Sequence, residues 1–332
     1  MKRWMLKAGV TDVDGLVLED VELPEPGPGE VRVKVEAVSL NARDLMVVAG
    51  PFGRTPGADI VPCSDMAGTV DAVGEGVTAW SVGDKVVNLH FKGWQEGAPS
   101  VDAGMGLGAL DENGTLAEFV VLDATRIAHT PASLSLAEAA CLPCAAVTAW
   151  NALFGEHPVQ SGERVLVTGS GSVATFALQL ARAAGASVCA ISGSADGRRQ
   201  LAELGADPVI DRVATPAWGQ AILEATGGVY KVVDTIGMAT VNESLTALGY
   251  AGELAMVGLM DMDGPAPGFA LFGKSLRGIM VGNGAMYAAL SAFVDEHGIV
   301  PIVGERFGLE GAREALRAQA ASDVFGKIVV EP

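Results

Sequence analysis

A chain of 332 residues is long enough for two domains, each with a core of its own. Its 40 acidic side chains outnumber 22 basic ones and give a formal charge of -18, scattered along the chain, which excludes nucleic acid and an anionic membrane surface as expected partners. The opening MKRWMLKAGV lacks a signal-peptide pattern, residues 139–150 are too short and proline-interrupted to span a bilayer, and the cysteines Cys63, Cys141, Cys144 and Cys189 imply no disulfide framework, so we expect a cytoplasmic protein.

The first third reads as β-structure. PEPGPG at residues 24–29 is a turn, and EVRVKVEAV then sets Val31, Val33 and Val35 against Arg32, Lys34 and Glu36, the period of a half-buried strand. GTVDAVGEGV, GDKVV and GTLAEFVVL add short strands with glycine turns, which together predict a small barrel. Residues 92–114 are glycine-rich and aperiodic, a long loop of the kind that serves as a lid or binding loop. A helix starts at SLAE, where Ser135 and Glu138 have capping-box spacing, and Pro143 interrupts it. CLPC, residues 141–144, straddles that break; its spacing alone leaves open a redox pair, half a zinc site, or neither.

From Glu163 the texture changes. RVLVTG, ASVCAIS, DPVID, YKVVDTIG, GELAMVG and LRGIMVG are short, nearly continuous apolar runs, as in strands buried on both faces. Between the first two, Val173, Phe176, Ala177, Leu180 and Ala184 recur at helical spacing up to Gly185. The alternation predicts an α/β Rossmann fold, a doubly wound parallel sheet. The last 24 or so residues read as one amphipathic helix and one strand that return to the first domain.

VLVTGSGSVA places Gly169, Gly171 and Ala174 as G-x-G-x-x-A between a strand and a helix. Gly169 permits the tight turn, Gly171 lets backbone approach a pyrophosphate, and small Ala174 lets helix pack on strand, while the helix N-terminus at Ser170, Ser172 and Val173 offers amide donors. An NAD enzyme commonly ends its second strand with an acid for the ribose 2'-hydroxyl. Here Ser192 and Ser194 leave room for a 2'-phosphate, Arg198 or Arg199 stand near to neutralise it, and Asp196 lies beyond the strand end. NADP is the expected cofactor, with NAD as the alternative.

The barrel, AGTVDAVGEGV, LPCAAVTAWNAL, the nucleotide turn and LAELGADPVI follow the order and spacing of the medium-chain dehydrogenase/reductase superfamily, and the chain resembles it over nearly its whole length. SLNARDL and PCSDMAG are similar to segments of the zinc-independent branch related to quinone oxidoreductase. The resemblance implies a GroES-like, partly open β-barrel catalytic domain at residues 1–125 and 285–332, a Rossmann domain at 126–284, and a homodimer. It matches the three catalytic zinc ligands of the alcohol dehydrogenases to Asn41, Ser64 and Cys144, of which only the last keeps a zinc-binding side chain, and no cysteine lies between Cys63 and Cys141 to build a structural zinc lobe. No metal is therefore expected. Cys144 then lines the cleft and Cys141 belongs to the core.

Without a Lewis acid, the charge that develops on a substrate oxygen falls to hydrogen-bond donors. By the resemblance these are Thr148, Ser64 and Asn41, with Asp44 and Asp65 as the nearby acids, in proton-transfer or structural roles. His90, Phe91 and Trp94 are expected to bound the substrate pocket, and Val257, Asn283 and Lys327 to contact cofactor. Two departures stand out: Ala42 replaces a tyrosine common in quinone oxidoreductases, and Gly284 an arginine common in relatives. The expected activity is zinc-independent, NAD(P)H-dependent reduction of a small apolar carbonyl, enone or quinone. A dinucleotide-binding structural protein of the crystallin kind and an alcohol dehydrogenase with a degenerate zinc site are the alternatives.

Overall fold

The computed structural model describes residues 1–50, 57–100, 103–110, 112–260, 262–264, 268–322 and 324–332, so Val101, Asp102 and Asp111 of the expected loop lie outside the described residues. Two compact units emerge, Met1–Cys144 with Asn283–Pro332, and Ala145–Gly282. The expected boundary at residue 126 is corrected to 145, because the chain after Arg126 still belongs to the first sheet.

In chain order the first unit supplies β1 (Lys2–Leu6), β2 (Leu16–Asp20), β3 (Glu30–Ser39), α1 (Ala42–Ala49), β4 (Asp65–Val73), β5 (Lys85–Asn88), β6 (Phe119–Asp123), β7 (Ile127–His129) and α2 (Leu136–Ala139). The second supplies α3 (Val147–Phe154), β8 (Arg164–Thr168), α4 (Ser172–Ala183), β9 (Ser187–Ser192), α5 (Ala195–Glu203), β10 (Val209–Asp211), α6 (Trp218–Thr226), β11 (Val229–Asp234), α7 (Val241–Ala247), β12 (Leu248–Met256) and β13 (Ser275–Gly278). The chain then returns to the first unit with α8 (Gly284–His297), β14 (Val303–Gly308), α9 (Ala312–Ala321) and β15 (Lys327–Glu331).

The first unit's main sheet runs β14-β15-β3-β4-β5-β7, with β6 on β3 and a separate β1-β2 hairpin. Alternation in β3 buries Val31, Val33 and Val35 in a core with Leu6, Met66 and Val70 and exposes Lys34 and Glu36. Arg32 departs from that alternation: it is buried, because its Nε donates to Asp71 Oδ2 at 2.7 Å and its guanidinium stacks over the Phe119 ring. The C-terminal strand closes the sheet as expected, with Val329 opposite Ser39 and Val330 opposite Val38.

The second unit is a parallel sheet in the order β10-β9-β8-β11-β12-β13. Numbered within this unit, that is the 3-2-1-4-5-6 order of dinucleotide-binding folds, which reverses between β8 and β11. The runs of β8 and β11 are buried as predicted, with Val165, Leu166, Val167, Val232 and Val233 fully inside, whereas LRGIMVG is a correction: β13 is the terminal strand of its sheet, so only one edge is paired and Leu276 and Met280 are exposed. Near the units' junction in sequence, Ser135 and Glu138 form the capping box of α2, and Pro143 sits in a π-helical turn at Leu142–Ala146.

Candidate active site and nucleotide turn

In the first unit a buried polar chain begins where β3 hands over to α1. Asn41 caps α1, and its backbone N–H donates to Asp44 Oδ2 at 2.8 Å. Its side-chain Oδ1 accepts from Lys327 Nζ at 2.6 Å, and the same ammonium donates to the Leu40 carbonyl. An ammonium has donors only, so it fixes which way the amide faces. Asn41 Nδ2 then points toward Ser64 Oγ at 3.4 Å and the Ser39 carbonyl at 3.5 Å, both long contacts. Ser64 donates its own proton to Asp65 Oδ1 at 2.7 Å, and the Cys144 backbone N–H donates to Asp65 Oδ2 at 3.0 Å.

His90 reaches the same acid from the far side of β5. Its Nδ1 lies 4.0 Å from Asp65 Oδ1, too far for a good hydrogen bond, and has no hydrogen-bond partner among the described residues. The opposite edge of the ring lies against Gly106, where a Cβ would fall 2.4 Å from Nε2, so only glycine fits beside it. Burial pushes the Asp44 carboxyl up to about 6, against the pull of Arg43. Burial acts on Asp65 in the same sense, but His90, Lys327 and Ser64 outweigh it and hold that acid below its ordinary value. Burial lowers His90, with Asp65 opposing. Arg43 ties α1 to the loop, donating to the carbonyls of Leu107 and Met105 as well as to Asp44.

Several expected roles are revised by these contacts. Ser64 is fully buried and its proton is spent on Asp65, so it orders the acid and is not a ready donor to a substrate oxygen. Lys327, expected at the cofactor, spends two of its ammonium's three donors inside the unit, on Leu40 O and Asn41 Oδ1. Asn283 is the N-cap of α8, accepting from Met286 N at 2.9 Å and donating to Gly97 O. Phe91 and Trp94 are buried with ring centroids 5.5 Å apart, and Phe91 meets His90 edge-on. Cys141 is core, its thiol bonded to Ala137 O and pushed up to about 11 by burial, whereas half-buried Cys144 is raised further by the same cause. Neither thiol has the low value of a redox or nucleophilic cysteine.

A zinc ion fits this chemistry poorly. Asn41 offers its one oxygen to an ammonium and Ser64 its proton to a carboxylate, so two of the three positions matched to zinc ligands are committed elsewhere. The fold does bring together Asp65, His90 and Cys144, with donor atoms within 4.8 Å of one another, a grouping not foreseen from sequence because His90 comes from beyond a separate strand. Yet His90 and Asp65 stand 4.0 Å apart, wider than the ~3.3 Å between tetrahedral ligands at about 2.0 Å from zinc, and Lys327 and Arg43 offset the negative charge that Asp65 and Asp44 bring to the same neighbourhood.

The second unit carries the nucleotide turn. Gly169 has φ +83°, Gly171 is extended and caps α4 without a side-chain bond, and nothing approaches within 4 Å of where a Gly171 Cβ would be. Ala174 is buried under the turn. The first turn of α4, Ser172 and Val173, is thus built to receive a phosphate. Ser170 and Ser192 share a hydrogen bond of 3.2 Å, Ser194 caps α5 by accepting from Gly197 N, and Val257 donates its N–H to Asp234 O. Thr148 is buried on α3.

Neither predicted arginine is uncommitted. Arg198 pairs with Asp211 at 2.8 Å and donates to Ser192 O, and Arg199 pairs along its own helix with Glu203 and Asp196. Sequence reasoning missed Arg212. A Cβ on Gly193, just past β9, would lie 3.4 Å from Arg212 Nε, so that guanidinium lies over the strand end, with no hydrogen-bond or ion-pair partner for its side chain among the described residues. The register could have signalled it, since Asp211 pairs with Ser192 and the next residue on each strand is Arg212 and Gly193.

Residues 27–132 match the alcohol dehydrogenase GroES-like domain family and residues 172–296 the zinc-binding dehydrogenase family. A zinc-type alcohol dehydrogenase-like protein of Schizosaccharomyces pombe is 36% identical, over 99% of each chain. The chain belongs to the medium-chain dehydrogenase/reductase superfamily. Among solved members, an NAD-dependent alcohol dehydrogenase superposes with a TM-score of 0.90 at 32% identity over 100% of each chain. A crotonyl-CoA carboxylase/reductase in complex with NADP gives 0.89 at 27%, covering 100% of this chain and 94% of that one. This medium-chain dehydrogenase/reductase is an NAD(P)-dependent oxidoreductase. Among its described residues no helix is long and apolar enough to cross a membrane.

Proposed function

We propose that the protein transfers hydride between NADP(H) and a small apolar carbonyl, enone or quinone, and that it does so without zinc. The observation that carries this reading is the Asn41 amide: its oxygen is anchored, its Nδ2 is held only by contacts of 3.4 and 3.5 Å, and it borders a site whose ligand positions suit a metal poorly. A bound nicotinamide supplies or accepts the hydride. Asn41 Nδ2 donates to the oxygen on which negative charge develops. Asp65, held ionised, keeps Ser64 and the Cys144 backbone in place around that amide. Buried Phe91 packs edge-on against the His90 ring, with Trp94 beside it, and excludes water from that side. The α4 N-terminus holds the pyrophosphate, and the NADP preference is supported by the absence of an acid at Ser192 to Ser194 and by Arg212.

An alcohol dehydrogenase and a crotonyl-CoA carboxylase/reductase among similar structures support both carbonyl and conjugated-alkene chemistry. A cytoplasmic location is proposed with this activity, and a homodimer, the dimer supported by the terminal position of β13 in its sheet and by Tyr250 and Phe272, which are 85% and 69% exposed. The test is a panel of enones, quinones and aldehydes with NADPH and NADH. Oxidation of NADPH in the presence of at least one member, unaffected by chelators, is the expected result. No turnover with any member and either cofactor would favour a binding protein without catalysis.

A further inference from the structure

We propose that Lys327 is a positioning residue that acts through Asn41, orienting its amide and strengthening it as a donor. The inference rests on the metal-free reading above. Lys327 is 1% exposed, and the fold brings it inside by a specific turn. Gly326 has φ +93°, and a Cβ there would strike Ile302 O at 2.4 Å, so glycine is needed for β15 to start where it does. The Lys327 N–H then bonds Ile302 O at 2.7 Å, and its side chain runs to Leu40 O and Asn41 Oδ1.

Burying an ammonium is expensive unless it is compensated. Asp44 and Asp65, both fully buried, feel its charge and supply that compensation. A purely structural lysine would satisfy itself on carbonyls and acids. This one takes the side-chain oxygen of the residue whose nitrogen is the loosely held donor. Positive charge on an amide oxygen draws electron density through the conjugated N–C–O unit, so the N–H becomes a better donor, and the amide cannot flip without breaking a charge-assisted bond.

A double-mutant cycle on the best substrate of the panel tests this. Asn41→Ala should lower kcat roughly 10²-fold and Lys327→Met roughly tenfold, each with NADPH affinity near that of the parent. The double variant should be no slower than Asn41→Ala alone, because the lysine has then lost the group it acts through. Additive losses, or a Lys327→Met enzyme with parental kcat, overturn the proposal. Should Lys327→Met fail to fold, Lys327→Gln keeps a donor to Asn41 Oδ1 without the charge, and a kcat within about twofold of the parent would likewise overturn it. A second readout is independent of any substrate. In asparagine-labelled protein the Asn41 side-chain amide protons should move upfield in Lys327→Gln. An unmoved signal refutes the proposal even where the panel yields no turnover, which would by itself count against the catalytic reading instead.

Discussion

Arg212 and Arg199 make a sharp contrast at the end of the second sheet strand. Arg199 is on the surface of α5 with two carboxylates of its own helix, whereas Arg212 lies over Gly193 with its neighbour in sequence, Asp211, turned to Arg198 and to the backbone of Val213 and Ala214. A guanidinium so placed suits a phosphate dianion by two parallel N–H bonds. Arg212→Ala should therefore weaken NADPH by about tenfold or more while NADH is unchanged, and Arg199→Ala should change neither; fluorescence titration with both cofactors checks it. If Arg199→Ala narrows the preference and Arg212→Ala does not, the assignment is reversed. At the same scale, metal analysis of protein purified without chelator should find well under one zinc per chain. One zinc per chain, retained by the Asp65, His90 and Cys144 group, would contradict the fit argued above. Single residues were unevenly legible in the sequence. The glycines of the nucleotide turn announce themselves by spacing, but Lys327 in GKIVV looks like any strand-edge lysine until Gly326 turns it inward.

Elements were more legible, because period is a property of many residues at once. The strands of the second unit were read from apolar runs, yet the charges within them were not, and those charges clamp α3 to the sheet. Lys231 on β11 and Glu253 on β12 pair at 3.0 Å with 0% and 2% of their side chains exposed. Arg277 on β13 reaches Glu253 and both the side-chain and backbone oxygens of Asn151 on α3, whose Nδ2 bonds Val281 O. Lys231 also donates to the carbonyls of Leu153, in the last turn of α3, and of His157 just after it. Glu253→Ala leaves two cations facing one another without their acid, and should cost about 3–5 kcal/mol of unfolding free energy. Urea denaturation followed by circular dichroism measures it. A loss under about 1 kcal/mol would mean that water replaces the carboxylate. YKVVD and GELAM each show one charge in an apolar run, and nothing in either segment says that the two strands are neighbours. Pro143 had a comparable fate: its break in the helix was visible, but not the π-helical turn that lets the Cys144 N–H meet Asp65.

At the scale of the whole molecule, the return of β15 to the first sheet was readable from the final helix and strand, while the domain boundary was not, since β7 is only three residues long and has no pattern of its own. The consequence of that return is a cluster of buried ionisable groups whose proton balance reaches global stability. Asp44 titrates at about 6 in the folded chain against an ordinary 3.8, because burial disfavours its charge. The folded state therefore holds that proton more tightly than the unfolded one, and stability from Asp44 is gained as pH falls from about 6 toward about 4. The reverse holds for His90, whose lowered value makes stability fall as pH drops through its ordinary 6.5, and for Asp65, whose contribution is lost only below its ordinary 3.8. A single pH profile would mix the three, so the prediction is a difference. Asp44→Asn removes one titration and keeps an acceptor for the Asn41 N–H. Relative to this variant, the parent should gain on the order of 2 kcal/mol between pH 7 and pH 4, most of the limit set by the gap between about 6 and 3.8 at about 1.36 kcal/mol per unit, the rest coming below pH 4. Urea midpoints of both proteins across that range report it, and a constant offset between them would show that Asp44 is ionised in the folded protein throughout, with Arg43 and Lys327 holding its charge.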